Sequence, residues 1–180
     1  METFFSILED EEYNQIWDRI DNELQFQPSI RSSQPPFRLS APWVVHDLAY
    51  YPVDWQYEDF AAAVVQALVA CLGEDDWIYA LDWQHSGFRY DPRRPVTEHD
   101  HWVEDERYGG IFGGRYNAYF PEYYPDGHYY YFFVQRDLKW GYLGHPWRRE
   151  IWLFGAPLVE RLSPELEALG FPVKILSETE

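Results

Sequence analysis

The chain has 180 residues, which is enough for one domain with a single core. Apolar residues make up 46% and charged residues 25%, values that are typical of a globular domain and exclude an extended disordered chain. Acidic residues outnumber basic residues by 31 to 14, so the formal net charge is -17. Such a charge repels nucleic-acid phosphates and anionic lipid surfaces, so we expect neither as a partner and favour a cationic one. The alternative is that the acidity only supports solubility.

The only cysteine, Cys71, cannot form an internal disulfide and lies in an apolar stretch, which predicts a buried, unreactive thiol. The first residues lack the basic segment of a signal peptide. The longest uncharged helical stretch, 60–73, is shorter than the roughly 20 residues that a membrane span requires. We therefore expect a cytoplasmic protein.

Two helices are predicted in the first half of the chain. Residues 10–24 place apolar side chains three and four positions apart and carry acids in the first turn, where they suit the helix dipole. Residues 54–72 are apolar on nearly every side and end before Gly73, so we expect a central helix covered on several sides. The segment 25–42 contains four prolines and is predicted to be a loop.

Short aromatic and β-branched runs separated by turns dominate the second half, which predicts antiparallel strands at 77–81, 88–90, 128–134, 138–143, 151–154 and 171–176. The acidic, glycine-rich segment 92–114 is predicted to be a loop. Ser163 followed by Pro164 indicates the start of a short helix that ends at Gly170. Residues 1–180 are thus expected to form one α+β domain, with a mostly antiparallel sheet and helices packed on one face.

Three sequence segments together resemble the bacterial domain of unknown function 2716 family. They are Leu-Asp-Trp-Gln-His at 81–85, Tyr-Pro-Asp-Gly-His-Tyr-Tyr at 124–130 and Gly-Tyr-Leu-Gly-His-Pro-Trp at 141–147. A strand that ends in Phe-Gly at 154–155 follows, as in that family. The family has no assigned activity, so the resemblance supports the fold and leaves the function open.

The candidate site residues lie at the ends of predicted strands or in turns, where a sheet presents side chains at one edge. As a site for a ligand or partner they are Asp82, Trp83, His85, Asp126, His128, His145 and Trp147. If the site is catalytic, the expected residues are Asp82, His85 and His145, because an imidazole paired with a carboxylate acts as a general base. Two or three imidazoles would alternatively hold zinc. The structural alternative is a polar network that bonds turn amides and indole N–H groups, and it is the interpretation we favour.

Other polar clusters carry a weaker signal. His99 and His101 alternate around Asp100 and would share a metal only with Glu98 or Glu104, so no metal site is expected there. The pairs 93–94 and 148–149 are arginines, which either clamp an anion or neutralise nearby acids. Signature motifs of nucleotide, zinc and serine-hydrolase sites are missing from the sequence, so no cofactor is expected.

Three functions compete on these grounds. The favoured one is a binding module that captures a basic protein, as an immunity protein does, because carboxylates pair with guanidinium groups and aromatic rings offer cation–π contacts. A second is a hydrolase or metal-assisted enzyme centred on Asp82, His85 and His145. The third, a mimic of DNA, is disfavoured because the acids cluster in the first helix and at 98–106 instead of forming ordered rows.

Overall fold

Most strands of the protein belong to one antiparallel sheet. The computed structural model describes residues 5–29, 35–48, 54–94, 102–105, 116–125 and 128–177. Its elements in chain order are β1 (Phe5–Ile7), α1 (Asp10–Glu23), β2 (Trp43–Asp47), α2 (Asp54–Cys71), β3 (Ile78–Asp82), β4 (Gly87–Tyr90), β5 (Trp102–Asp105), β6 (Tyr116–Tyr119), β7 (Tyr131–Gln135), β8 (Gly141–His145), β9 (Glu150–Phe154), α3 (Ala156–Ala168) and β10 (Val173–Leu176). Within those ranges, eight strands pair in the order β1-β4-β3-β7-β8-β9-β2-β10, and β5 pairs with β6 separately.

Strand alternation divides the apolar side chains between the two faces of the large sheet. Along β9, Ile151 and Leu153 join one core cluster, whereas Trp152 and Phe154 join the other. Neighbouring strands alternate in the same way, because successive side chains of a strand point to opposite faces. The strands β7, β8 and β9 are buried along their whole length, and their sequences are therefore apolar apart from Gln135, His145 and Glu150 at one end of each strand.

The three helices cover both faces of this sheet. Buried residues of α2 and α3, such as Phe60, Leu68 and Leu162, belong to the first cluster. Buried residues of α1, such as Ile16 and Ile20, belong to the second. The predicted single α+β domain with an antiparallel sheet is confirmed, and the one-face placement holds for α2 and α3, while α1 lies on the opposite face. We call these surfaces the α2/α3 face and the α1 face.

Several local predictions differ from the structure. Helix α3 begins at Ala156, so Ser163, which was expected at its start, lies inside it. The Oγ atom of Ser163 does not cap a helix but bonds the buried Nε2 of His46 at 2.8 Å. Strand β2 was not predicted, and β5 lies within the expected loop 92–114. Helix α2 has one exposed stripe, which includes Gln66 and Ala70, and its other sides are buried or half-buried. No helix in the described part of the chain is long and apolar enough to cross a membrane.

Candidate functional site

Most of the predicted site residues meet at one end of the large sheet. Because the strands are antiparallel, β3 and β8 end where β4, β7 and β9 begin. We call this region, formed by residues 82–87, 128–131 and 144–150, the sheet end. It contains six of the predicted site residues, namely Asp82, Trp83, His85, His128, His145 and Trp147. The seventh, Asp126, and the histidines at 99 and 101 lie outside the described residues.

Asp82 and His85 form a hydrogen-bonded pair across the turn between β3 and β4. The Nδ1 atom of His85 lies 3.1 Å from Oδ1 of Asp82, and the Asp82 carboxylate is only 7% exposed. The turn is closed by the His85 amide, which donates to the Asp82 carbonyl at 3.1 Å. Its residue Gln84 has φ +66°, a left-handed conformation that is costly for a side chain other than glycine. A strained turn thus holds the imidazole beside a buried carboxylate.

The imidazole of His85 is open to solvent and packs on an exposed tyrosine. Its side chain is 41% exposed, and its ring centroid lies 4.5 Å from that of Tyr129 in an edge-on arrangement. Tyr129 is itself 42% exposed and also contacts His128 at 6.1 Å between ring centroids. The predicted residues Asp82, His85 and His128 are therefore neighbours, and Tyr129 links them.

His145 is fully buried and belongs to a different group of hydrogen-bonded residues. Its Nδ1 accepts the amide N–H of Arg148 at 3.4 Å, which leaves the proton on Nε2 to donate to the Ser29 carbonyl at 3.1 Å. Nε2 also lies 3.2 Å from the Tyr130 hydroxyl, which accepts the Ser29 amide N–H at 3.1 Å. Burial and, second, the charge of Arg148 lower the pKa of His145 to about 4, so the imidazole is neutral at physiological pH.

The structure does not bring the proposed catalytic trio together. His145 follows Leu143 by two residues on β8 and therefore lies on the α1 face. Asp82 follows Leu81, a residue of that face, by one and points to the opposite side. Because His145 is 0% exposed, it cannot meet a substrate held at His85.

On the α1 face, two tryptophans flank the buried ring of Tyr130. The ring centroids of Trp83 and Trp147 lie 5.4 Å and 5.3 Å from that of Tyr130, both nearly perpendicular to it. Trp83 is half-buried, whereas Trp147 is 46% exposed. Trp147 thus presents a large aromatic surface while its ring packs against the buried ring of Tyr130.

Acidic residues adjoin the sheet end through the start of α1. The Leu8 amide donates to the Gly87 carbonyl at 2.8 Å, so the exposed acids at 9–11 follow directly beside the β3–β4 turn. A glycine at 87 suits this approach, because a Cβ there would lie 2.9 Å from Cδ1 of Leu8 and 3.1 Å from the ring of Tyr13, so these side chains would have to shift. The acids at the start of α1 therefore lie beside the β3–β4 turn, which carries His85.

Sequence reasoning missed three residues of the sheet end. Tyr129 and Tyr130 stand in the run 124–130 but were assigned to a strand that in fact begins at Tyr131. Glu150 is 4% exposed, and its carboxylate accepts from Nζ of Lys174 at 2.9 Å and from Nε1 of Trp152 at 3.0 Å. The sequence feature that could have indicated Glu150 is its position as a single acid directly before the apolar run 151–154.

Other predicted candidates have structural roles. Arg93 and Arg94 both pair with Asp91, at 2.7 Å and 3.9 Å, which confirms that this arginine pair neutralises a nearby acid. Burial raises the pKa of Cys71 to about 11, in agreement with an unreactive thiol. Among the described residues, no group of three or more histidine, cysteine or acidic side chains is arranged to hold a metal ion.

Comparisons with known proteins give a family without an assigned role. The chain is 29% identical over 161 residues to the uncharacterized protein YxiI of Bacillus subtilis (strain 168), an alignment that covers 83% of this chain and 86% of YxiI. No solved structure matches. The model of the family described as protein of unknown function (DUF2716) matches residues 7–110 and 111–159. The protein therefore belongs to the DUF2716 family.

Proposed function

We propose that the protein is a binding module that captures a basic protein partner at the sheet end, in the manner of an immunity protein. The observation that carries this proposal is the exposure of Trp147 and Tyr129, 46% and 42%, on a chain of net charge -17. Tryptophan and tyrosine are enriched among the residues that contribute most to protein–protein binding.

The net charge of the chain, -17, and the acids at the start of α1 favour a cationic partner. The first turn of α1 carries Asp10, Glu11 and Glu12, and no basic residue lies in its last turn. An acidic surface accelerates encounter with a basic protein and weakens as salt screens it. Exposed aromatic rings add contacts to arginine and lysine side chains that salt screens less.

An enzyme is the second candidate, and the Asp82–His85 pair is the observation that favours it. A carboxylate that orients an imidazole is the arrangement of a general base. A chromogenic ester and a chromogenic phosphodiester test this function. Turnover that is lost in His85→Ala and retained in Trp147→Ala would support an enzyme over a binding module.

Binding to the basic products of neighbouring genes tests the proposed function. We expect one of them to form a one-to-one complex by titration calorimetry, with an affinity that falls as the salt concentration rises. Trp147→Ala should weaken the complex by at least about tenfold, because a buried interface tryptophan contributes about 1.4 kcal/mol or more.

A matched control is available on the far edge of the sheet. Leu176 on β10 is 64% exposed and lies on the outermost strand, at the end of β10 away from the sheet end. Leu176→Ala removes exposed apolar surface there and should leave the affinity unchanged. If Trp147→Ala and Leu176→Ala behave alike, or if no basic neighbour binds, the proposed function is wrong.

A further inference from the structure

The turn that carries Trp147 is closed by a side chain as well as by the backbone. It connects β8 to β9. The Arg149 amide donates to the Pro146 carbonyl at 3.3 Å. The Arg148 amide donates to Nδ1 of His145 at 3.4 Å. The backbone conformation at Trp147 therefore depends on the His145 imidazole, because Trp147 lies between the two residues that this second bond joins.

Backbone groups determine which nitrogen of the His145 ring carries the proton. A peptide N–H can only donate, so Nδ1, which accepts from the Arg148 amide, has no proton. A peptide carbonyl can only accept, so Nε2, which lies 3.1 Å from the Ser29 carbonyl oxygen, carries the proton. His145 is therefore a neutral imidazole whose acceptor nitrogen is directed to the turn.

The bond between His145 and Arg148 follows the pattern of a helix N-cap, in which a side chain accepts the amide N–H three residues later. Asparagine is among the residues preferred at such a position. Its Oδ1 is separated from Cα by the same number of bonds as Nδ1 of histidine. The imidazole also contacts the indole of Trp147, with 6.3 Å between ring centroids and an angle of 74°. His145 thus acts on Trp147 through the backbone and through its ring.

We infer that His145 is a positioning residue for Trp147: its Nδ1 holds the Arg148 amide and thereby keeps the turn in the conformation that presents the indole to the partner. This inference rests on the proposed function and names the residue on which the contact made by Trp147 depends. His145 is 0% exposed, so it does not touch the partner, and its contribution to the affinity passes through Trp147. A side chain that is held before binding loses less conformational freedom when the partner arrives.

Two substitutions separate the roles of the two ring nitrogens. His145→Asn keeps an acceptor in the place of Nδ1 and loses the donor to Ser29. His145→Gln keeps an amide donor in the place of Nε2 and loses the acceptor for the Arg148 amide. Both variants lack the ring, so both should be less stable than wild type. In titrations with the basic neighbouring-gene product, His145→Gln should weaken the complex about fivefold, the effect of ordering one side chain on binding, whereas His145→Asn should retain the wild-type affinity.

A double-mutant cycle tests whether His145 acts through Trp147. In the Trp147→Ala protein, His145→Gln should cause no further loss of affinity, because the side chain that it positions is already missing. His46→Gln is the matched control. His46 is also 0% exposed and hydrogen-bonded, with Nδ1 2.8 Å from the Phe171 carbonyl oxygen, but it lies on the α2/α3 face, opposite Ile151 in the register. His46→Gln should therefore lower the stability and leave the affinity unchanged.

Hydrogen exchange of the Arg148 amide examines the turn without any partner. Nuclear magnetic resonance of the labelled full-length protein should show this amide protected from exchange in wild type and in His145→Asn, and exposed to exchange in His145→Gln. The wild-type measurement needs no variant, so it holds even if a substitution prevents folding, which thermal unfolding of each variant reveals. An unprotected Arg148 amide in wild type, or equal protection in the two variants, overturns the inference.

The outcomes separate this inference from the proposed function. A loss of affinity in His145→Gln that His145→Asn avoids and that disappears in the Trp147→Ala protein supports the positioning role. Equal affinities of the two His145 variants, or an undiminished loss in the Trp147→Ala protein, overturn it while the complex with the basic neighbour still stands. If no basic neighbour binds, the proposed function is lost, and the positioning of Trp147 is then decided by the exchange of the Arg148 amide.

Discussion

Acidification should destabilise the protein through His145, and His145→Gln should remove that part of the effect. The imidazole is 0% exposed, and burial together with the charge of Arg148 lowers its pKa to about 4. In the unfolded chain its pKa returns to about 6.5. Between these values the unfolded state binds more protons than the folded state, so stability rises with pH and is lost as the pH falls.

The size of the effect follows from the two pKa values. Between about pH 8 and pH 5.5, a group with pKa about 4 when folded and about 6.5 when unfolded lowers the free energy of unfolding by about 1.4 kcal/mol. Below pH 4 the full loss would approach about 3.4 kcal/mol, since one pKa unit corresponds to about 1.36 kcal/mol. His46 adds to the wild-type loss, because burial lowers its pKa as well, so only the difference between wild type and variant isolates His145.

Urea unfolding at the two pH values measures that difference. Glutamine retains an amide that can donate to the Ser29 carbonyl, as Nε2 of His145 does at 3.1 Å, but it does not titrate. His145→Gln should be less stable than wild type at the higher pH, and the gap should narrow by about 1.4 kcal/mol at the lower pH. The lower pH lies above the isoelectric point of about 4.6, which limits aggregation. A gap of constant size would show that His145 titrates alike in the folded and unfolded states and would refute the reasoning.

Three further substitutions test local features by chemical denaturation. Lys174→Met should cost more stability than Glu150→Gln, because it leaves the buried carboxylate of Glu150 without the cation at 2.9 Å; the Lys174 side chain is 40% exposed, so solvent screening limits the difference to about 1 kcal/mol. An equal loss would contradict this. Gln84→Gly should raise the free energy of unfolding by about 1 kcal/mol, because φ +66° suits glycine, and a decrease would show that the turn is not strained. Gly87→Ala should destabilise by about 1–3 kcal/mol, since its Cβ would meet Leu8 and Leu81 at 2.9 Å and 3.0 Å, whereas Gly73→Ala, with only Asp76 at 3.8 Å, serves as the control.

Local patterns predicted the parts of the fold that local physics determines. The C-terminal end of helix α1 was predicted within one residue, because the apolar spacing and the acidic first turn of this helix are patterns of residues close together in the sequence. Strand β2 was missed because it is short and follows Pro42, and because it pairs with β9 and β10, which lie more than one hundred residues away. The start of α3 was misplaced because Ser163 and Pro164 resemble a helix start, whereas the hydrogen bond from Ser163 to His46 is a tertiary contact that no local pattern contains.

The candidate site was predictable in composition but not in arrangement. The turns and strand ends at 82–85, 128 and 145–147 do meet at one end of the sheet, as expected for hairpin connections. Which imidazole is buried depends on the face to which each strand residue points and on the segment that covers it. The contact between His145 and Ser29 spans 116 positions, so no local pattern could separate His145 from His85.

Of the three histidines of the sheet end, His85 and His145 have opposite environments that depend on each other. The Tyr130 hydroxyl lies 3.2 Å from the buried His145, and the Tyr130 carbonyl accepts the Trp83 amide at 3.1 Å. Trp83 opens the turn that carries His85, so the neutral, buried imidazole helps to fix the backbone from which the exposed one projects. A binding surface needs side chains held in place before the partner arrives, because ordering them on binding costs affinity. The polar network that the sequence favoured as structural and the surface proposed for the partner are therefore parts of the same arrangement: the first supplies the rigidity on which the second depends.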